Sequence, residues 1–261
     1  MEVETINTIF PNELLHMVFT CLPPRDRISA ILVCQKWRNV ISNPKFWAWV
    51  YLTVTNFNVA AIPWVLGFER LKAMNKLCVG SYFIYSWEEH GDEFLLAMER
   101  HPGLKELDAE HVNLSFLEPN LLARVVKKLE KVYFSYAEMT AQQCEAIFQH
   151  FDSDSKLKKL HMSCIDLSSV NPEILARSFN NIEEVFMFDT KLTILQTKAI
   201  FRAVNNGSKM KNINIGLNDL SMVDPKSLAK CISTLWGVFQ HLGCLNPQKG
   251  SLINHWIIEN L

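Results

Sequence analysis

Short alternations of apolar and polar residues recur along the chain and predict strands. Each has the form apolar-x-x-apolar-x-apolar, and a further apolar residue follows five positions later. An alternation with a period of two over this length is typical of a short, half-buried strand. The five clearest alternations begin at Leu104, Leu129, Leu157, Ile182 and Met210. The same spacing predicts two earlier strands, at Leu52–Val54 and Leu77–Val79.

A repeat of 53 residues organises these strands. Segments that begin at Leu114, Leu167 and Leu220 align without gaps, and Leu, Ser, Pro, Leu, Ala and a basic residue recur in register. Between them, Thr140–Gln143 and Thr193–Gln196 form a second family at the same spacing. The unit is therefore a pair of sub-repeats, about 25 and about 28 residues long, and such self-similarity predicts a repeat architecture.

Each sub-repeat also carries the start signal of a helix. Proline suits the first helical position because its missing N–H costs nothing there, and the preceding acidic or amide residue predicts an N-cap. These pairs are Glu118-Pro119, Asn171-Pro172 and Asp224-Pro225. In the other sub-repeat, Thr140 with Gln143 and Thr193 with Gln196 predict capping boxes.

Residues 9–49 do not follow this repeat and predict helices instead. Pro11 begins the first, whose apolar stripe is Leu14, Leu15, Val18, Phe19 and Leu22, and Pro23-Pro24 ends it. Asp26 is the expected cap of a second helix, roughly Arg27–Val40, which Asn43-Pro44 terminates.

The end of the chain continues the register of the repeats. Leu235, Val238 and Leu245 fall 53 residues after apolar positions of an earlier strand and turn, and Ser251–Glu259 is predicted as a last helix. A terminal repeat needs a cap, because it otherwise exposes core. Without a polar capping module in the sequence, continuation of the natural chain past Leu261 stays open.

Composition narrows the class of protein. Of the 261 residues, 49% are hydrophobic and 20% charged, and the net charge of −1 gives no reason to expect nucleic acid or a membrane surface as partner. Seven scattered cysteines without a C-x-x-C pair favour reduced thiols. The acidic first residues do not resemble a secretory signal, and the apolar run Val59–Phe68 contains Pro63 and is too short to span a membrane. We expect a cytoplasmic or nuclear protein.

Four side chains are candidates for a binding face. Alternation places Tyr133, His161, Phe186 and Phe188 opposite the buried positions of adjacent strands, where exposed aromatic residues mark contact with a substrate or ligand. They alternatively pack on one another or on a C-terminal segment, without a ligand. Glu106, Asp108 and Glu110 make a neighbouring strand acidic; it either accepts a basic edge of a substrate or is a solvated polar strand.

Catalytic and metal-binding patterns are weak. His161-x-x-Cys164 and His241-x-x-Cys244 each offer two ligands, whereas a structural zinc ion takes four, so no metal is expected. The sequence has no glycine-rich phosphate loop, H-E-x-x-H or G-x-S-x-G. We expect a protein that is not an enzyme and needs no cofactor.

A strand, a turn and a helix in 25–28 residues resemble the leucine-rich repeat. The pattern of that repeat has one position that is usually asparagine or cysteine. In this chain the position is occupied by Val112, Ala137, Ile165, Thr190 and Asn218, so only Asn218 matches. The resemblance implies an α/β solenoid with parallel strands on the concave side and helices outside. It covers residues 49–261, as about seven to eight repeats that alternate between 25 and 28 residues.

The N-terminal segment resembles the F-box, a small all-α domain, over residues 1–48. The resemblance rests on Phe10-Pro11-Asn12-Glu13-Leu14-Leu15, Leu22-Pro23-Pro24-Arg25-Asp26, Val33-Cys34-Gln35-Lys36-Trp37-Arg38 and Trp47, with Phe10 and Ile28 where leucine is usual. The order F-box then leucine-rich repeats is that of a known family of substrate-recognition adaptors of SCF-type ubiquitin ligases.

That resemblance implies that the F-box docks on a Skp-type adaptor, and through it on a cullin–RING ligase, while the concave face of the repeats binds a protein substrate. The implied adaptor contacts are Phe10, Pro11, Leu14, Leu15, Val18, Leu22, Pro23, Ile28, Val33, Cys34 and Trp37. Alternatively, the protein is a repeat scaffold without ligase function, in which the F-box fold only caps the N-terminal end.

Overall fold

The computed structural model describes residues 10–22, 24–43, 51–54, 66, 72–79, 87–206 and 208–227. Three helices come first: α1 (Asn12–Thr20), α2 (Pro24–Ile31) and α3 (Gln35–Ile41). The remaining elements are β1 (Tyr51–Val54), β2 (Lys76–Val79), α4 (Trp87–Arg100), β3 (Glu106–Asp108), α5 (Pro119–Lys128), β4 (Lys131–Tyr133), α6 (Ala141–Gln149), β5 (Lys159–His161), α7 (Pro172–Ser178), β6 (Glu184–Phe186), α8 (Ile194–Asn205) and β7 (Asn212–Asn214).

The three N-terminal helices enclose a small core of their own. Leu15 and Phe19, one turn apart on α1, are 3% and 1% exposed. The ring of Phe19 meets the edge of the Trp37 ring at 4.9 Å between centroids. The other members of this core are Ala30, Ile31 and Ile41. Only one side of the predicted stripe of α1 is therefore buried.

The single second helix predicted over Arg27–Val40 is wrong, because the chain breaks after Ile31. The N–H groups of the two residues that follow Ile31 bond to carbonyls three residues earlier, and Cys34 takes extended backbone with φ −159° and ψ 167°. On a continuous helix, Ile31 and Ile41 would point about 80° apart. The break allows both to enter the same core.

Arg27 joins the first two helices. Its guanidinium donates to the carbonyl oxygens of Phe19 at 2.9 Å and Thr20 at 2.8 Å, which satisfies carbonyls at the end of α1. Asp26, the expected N-cap, lies instead inside the first turn of α2.

The seven described strands form one parallel sheet in which each strand pairs with the next in chain order. The two early strands predicted from the spacing are present as β1 and β2. The central residues of β3 to β7 are register partners and are buried: Leu107, Val132, Leu160, Val185 and Ile213. The predicted period of two is confirmed, because their neighbours on either side are only half-buried.

The predicted helix starts are also confirmed. The side chains of Glu118 and Asn171 each accept two backbone N–H bonds in the first turn that follows, and Asp224 accepts one from Ser227. Thr140 and Thr193 form complete capping boxes. Since each cap satisfies N–H groups that lack a partner within the helix, these residues fix where the helices begin.

The glutamines of the capping boxes have a second role that joins consecutive repeats. Gln143 is fully buried, and its Nε2 donates to the carbonyl oxygens of Leu114 and Leu117 at 2.7 Å each, in the preceding repeat. Gln196, 53 residues later, makes the same two bonds to its preceding repeat. Both side-chain amides are buried, and a buried polar group without a hydrogen-bond partner lowers the stability of the fold. These bonds therefore stabilise the contact between repeats.

Asn218 supplies the one asparagine of the repeat pattern and is buried. Its Oδ1 accepts from the backbone N–H groups of Leu192 at 2.9 Å and Thr190 at 3.2 Å, and its Nδ2 donates to the carbonyl of Met187 at 2.7 Å. The apolar residues at the equivalent positions, Val112, Ala137 and Ile165, are buried in the core. Apolar packing therefore takes the place of an asparagine side chain at those three positions.

One continuous core runs between the strands and helices from Leu66 to Val223. Within the ranges described above, no helix is both long enough and apolar enough to cross a membrane. The predicted features at Trp47, Leu235–Leu245 and Ser251–Glu259, and the predicted domain boundary after residue 48, lie outside the described residues.

Candidate functional site

Three of the four predicted aromatic residues form a row across the sheet. Tyr133, His161 and Phe186 are register partners on β4, β5 and β6. The rings of Tyr133 and His161 meet edge to face at 4.7 Å, and those of His161 and Phe186 lie 4.3 Å apart. The predicted alignment of these residues is confirmed, and they are called the aromatic row below. Phe188 is half-buried two positions further on, and its N–H donates to the Ser163 hydroxyl at 3.3 Å.

The aromatic row is uncharged near neutral pH. Burial lowers the pKa of His161 below its ordinary value of 6.5, although Glu184 partly offsets this, with its Oε1 3.3 Å from Nε2 of His161. Because a carboxylate only accepts, this nitrogen of the neutral ring carries the proton. Burial also raises the pKa of Tyr133. The row therefore offers ring faces and edges without a net charge.

Ion pairs lie beside the row and involve residues two positions earlier on each strand. Glu106 on β3 lies between Lys76 at 2.7 Å and Lys131 at 3.2 Å, and Glu184 on β6 lies 2.7 Å from Lys159. Despite the opposing effect of burial, hydrogen bonds from Lys76 and Lys131 hold the pKa of Glu106 below its usual value. Opposite charges on neighbouring strands stabilise the register.

These pairs correct the idea of an acidic strand at β3. The charge of Glu106 is compensated by two lysines, and Asp108 lies 3.6 Å from Lys76. Of the three acidic residues considered there, Glu110 alone has no lysine or arginine in an ion pair with it among the described residues.

A second line of side chains, which the sequence analysis missed, borders the row. The third residue after each of β3 to β7 has a positive φ, between 52° and 61°: His111, Tyr136, Cys164, Asp189 and Leu217. We call these five the edge column. None is glycine, although the left-handed region usually favours glycine, and non-glycine residues there cost energy that the surroundings must offset.

Backbone bonds hold the edge column in place. The N–H groups of His111, Tyr136, Cys164 and Asp189 each donate to a carbonyl of the next repeat at 2.8–3.1 Å. The rings of His111 and Tyr136 stack at 4.7 Å with an angle of 9° between planes. In the sequence, these positions are marked only by their recurrence at the spacing of the repeat. Their residue types do not indicate a positive φ.

The N-terminal helices carry the other candidate surface. Four of the implied adaptor contacts expose large parts of their apolar side chains, and two residues that were not predicted do so as well. We call this set the N-terminal apolar surface: Phe10, Leu14, Val18 and Val33, with Met17 and Leu32. Val18 and Leu14 are 53% and 42% exposed. Pro11 is exposed too.

The remaining implied contacts lie deeper or outside the described part of the chain. Leu15 belongs to the core of the three helices, so its side chain mainly stabilises their packing. Leu22, Cys34 and Trp37 are half-buried. Pro23 and the side chain of Ile28 lie outside the described residues.

Of the two histidine–cysteine pairs, only His161 and Cys164 lie in the described part of the chain. Among the described residues, no group of three or more His, Cys, Asp and Glu side chains is arranged to hold a metal ion. His161 contacts Tyr133, Phe186 and Glu184 instead. His241 and Cys244 lie outside the described residues.

Comparison with known protein families identifies the N-terminal segment. Residues 8–49 match the F-box domain, and these include all of α1, α2 and α3. The match ends before the first strand of the sheet. None of the curated proteins compared with the chain matches it.

Proposed function

We propose that this chain is the substrate-recognition adaptor of an SCF-type ubiquitin ligase, in which the F-box docks on a Skp-type adaptor and the repeats bind a protein substrate. The observation that carries the proposal is the F-box match at residues 8–49 together with the exposed N-terminal apolar surface. F-box domains generally bind Skp-type adaptors of cullin–RING ligases.

The division of apolar residues on α1 supports docking at this surface. Leu15 and Phe19 already supply the core, so Leu14 and Val18 are not needed to hold the three helices together. Exposed apolar groups of this kind stabilise a complex when a partner removes them from water, at roughly 25 cal/mol per Å² buried. A domain of about 40 residues also buries little surface alone and gains from such docking.

The repeats are proposed to form a leucine-rich-repeat solenoid. Sequential parallel pairing of β1 to β7, the recurring caps and the buried Asn218 support this assignment. In such a solenoid the strands line one face along its length, and that face gathers one side chain from each repeat. The aromatic row is then part of a binding face assembled from three repeats.

A binding function, without catalysis by this chain, fits the chemistry of that face. Burial, with Asp108 nearby, raises the pKa of the Cys78 thiol to about 11, so it remains protonated and a poor nucleophile at neutral pH. His161 donates to a carboxylate and contacts two aromatic rings rather than a hydroxyl or thiol nucleophile. In a ligase of this type, other subunits carry out ubiquitin transfer.

Co-expression of the full chain with a Skp-type adaptor tests the proposal. We expect the two proteins to elute together in gel filtration, as a complex of one copy of each. Separate elution in the presence of abundant adaptor would refute the ligase function and leave the scaffold alternative.

A further inference from the structure

Two equivalent grooves, 53 residues apart in the chain, lie against helices α6 and α8. The first is lined by α6 and the turn before α7, the second by α8 and the turn that follows β7, and their volumes are about 440 and 420 Å³. Three positions line both grooves: Glu145, Gln149 and Ser169 in the first, and Lys198, Arg202 and Met222 in the second. We call the second one the basic groove.

Hydrogen bonds within the protein occupy the polar side chains of the first groove. The carboxylate of Glu145 accepts the backbone N–H of Asn171 at 3.0 Å and the side-chain amide of Gln149 at 3.2 Å. Helix α6 is thereby joined to the residue that caps α7. The fold therefore uses these positions to attach one repeat to the next.

The basic groove lacks these bonds. Lys198 and Arg202 have no hydrogen-bond or ion-pair partner among the described residues. Both are exposed and stand one turn apart on α8, where like charges repel each other. Asp224, the one acidic residue among the described lining residues, already accepts the N–H of Ser227 at 2.9 Å. The fold therefore gains nothing from the two cations, whereas the carboxylates of a partner would offset their repulsion.

The third difference between the grooves adds apolar surface. Met222 is 57% exposed, at the position where the first groove has Ser169. The buried Phe201 and Val223 line the same groove. A methionine side chain is flexible and polarisable, so it adapts to apolar groups of different shapes. The basic groove therefore offers an apolar contact next to two positive charges.

We propose that the basic groove binds an acidic segment of a partner protein, whose carboxylates pair with Lys198 and Arg202 while an apolar side chain covers Met222. Charge complementarity favours such a partner over the chain's own residues 228–261, which carry two lysines and one glutamate. It also favours a protein over a nucleic acid, because nucleic-acid binding depends on many phosphate contacts and the groove offers two cations and a carboxylate. Since Phe201 of α8 belongs to the core on the opposite face of the sheet, this surface is separate from the aromatic row and goes beyond the proposed function.

Subtractive selection from a random-peptide library displayed on phage, with the full chain as bait, tests the proposal. The library is first depleted on the triple variant Lys198→Glu, Arg202→Gln and Met222→Ser, which copies the first groove and should therefore fold. We expect the peptides that the wild type then retains to be enriched in aspartate and glutamate.

A synthetic copy of the most frequent peptide gives the affinities. We expect it to bind the wild type more weakly as the salt concentration rises, and to bind the triple variant at least about tenfold more weakly than the wild type, because charge-assisted bonds are lost. Lys156→Glu, which makes the same charge reversal at an exposed position before β5, is the control and should leave the affinity unchanged.

Retained peptides without acidic residues, or equal affinities of the wild type and the triple variant, overturn the proposal. It also fails if the wild type self-associates in analytical ultracentrifugation, or binds a labelled oligonucleotide or vesicles of phosphatidylcholine with phosphatidylserine, and the triple variant does not, because the groove then has another occupant. A triple variant that is less stable in urea, without any retained peptide, would assign the groove to the chain's own residues. Co-elution with the Skp-type adaptor is measured on the same preparations, so failure of the proposed function is seen separately.

Discussion

Gln143 donates from Nε2 to the carbonyl oxygen of Leu114 at 2.7 Å, across the boundary between consecutive repeats. The same side chain accepts the N–H of Thr140 through Oε1 at 2.8 Å, so one buried amide both begins α6 and attaches it to the preceding turn. Local capping and contact between repeats therefore depend on the same residue.

Replacing Gln143 with alanine should lower the free energy of unfolding by about 3 kcal/mol, because the capping box is lost and two buried carbonyls lose their donors. Urea denaturation followed by circular dichroism measures the change. Gln142→Ala, at the exposed neighbouring position of the same helix, is the control and should change stability by less than about 0.5 kcal/mol. Equal midpoints for the two variants would show that Gln143 does not join the repeats.

Stability should depend on His161 in weakly acidic solution. Its pKa in the folded protein lies below the ordinary value of 6.5, so between these two values the unfolded chain binds more protons and acid favours unfolding. This destabilisation is absent above the ordinary pKa of histidine and grows as the pH falls toward the pKa of His161 in the folded protein. We expect the loss of stability from about pH 7.5 to about pH 5.5 to be smaller in His161→Gln, which keeps an N–H for Glu184 but does not titrate. An identical pH dependence in both proteins would contradict this.

We expect the aromatic row and the neighbouring Phe188 to contribute to binding of the substrate but not to binding of the Skp-type adaptor. The double variant Phe186→Ala and Phe188→Ala removes ring surface from the face, so we expect weaker capture of the substrate with unchanged binding of the Skp-type adaptor. Pull-down of both partners from the same sample measures the two effects together. Leu195→Ala, an exposed apolar residue on α8, is the control. Unaltered capture by the double variant would place the substrate site elsewhere.

Much of the repeat architecture followed from local patterns. The strands were predictable because Val132 and its equivalents alternate with polar residues, and the helix starts because Thr140 and Glu118 are capping residues with a defined partner. Both signals lie within a few residues in the chain. The alignment of Tyr133 with His161 then followed from the spacing of the repeat.

Features that depend on distant contacts were not predictable in this way. The break after Ile31 serves the packing of Ile31 and Ile41 around α1, which the sequence of the second helix does not reveal. The positive φ of Tyr136 is held by a bond to the next repeat, without the glycine that usually signals it. Whether Leu14 or Leu15 is exposed depends on how the three helices pack, since both fit the apolar stripe of α1.

The most direct test of the ligase function is the affinity of the full chain for a purified Skp-type adaptor, measured by isothermal titration calorimetry. The wild type should bind, and the variant Leu14→Asp with Val18→Asp should bind at least about a hundredfold more weakly, because two charged groups would be placed in an apolar interface. Leu195→Asp, which places the same charge on an exposed leucine of α8, should bind like the wild type. The absence of binding by the wild type, or equal binding by the Leu14→Asp and Val18→Asp variant, would contradict the proposal.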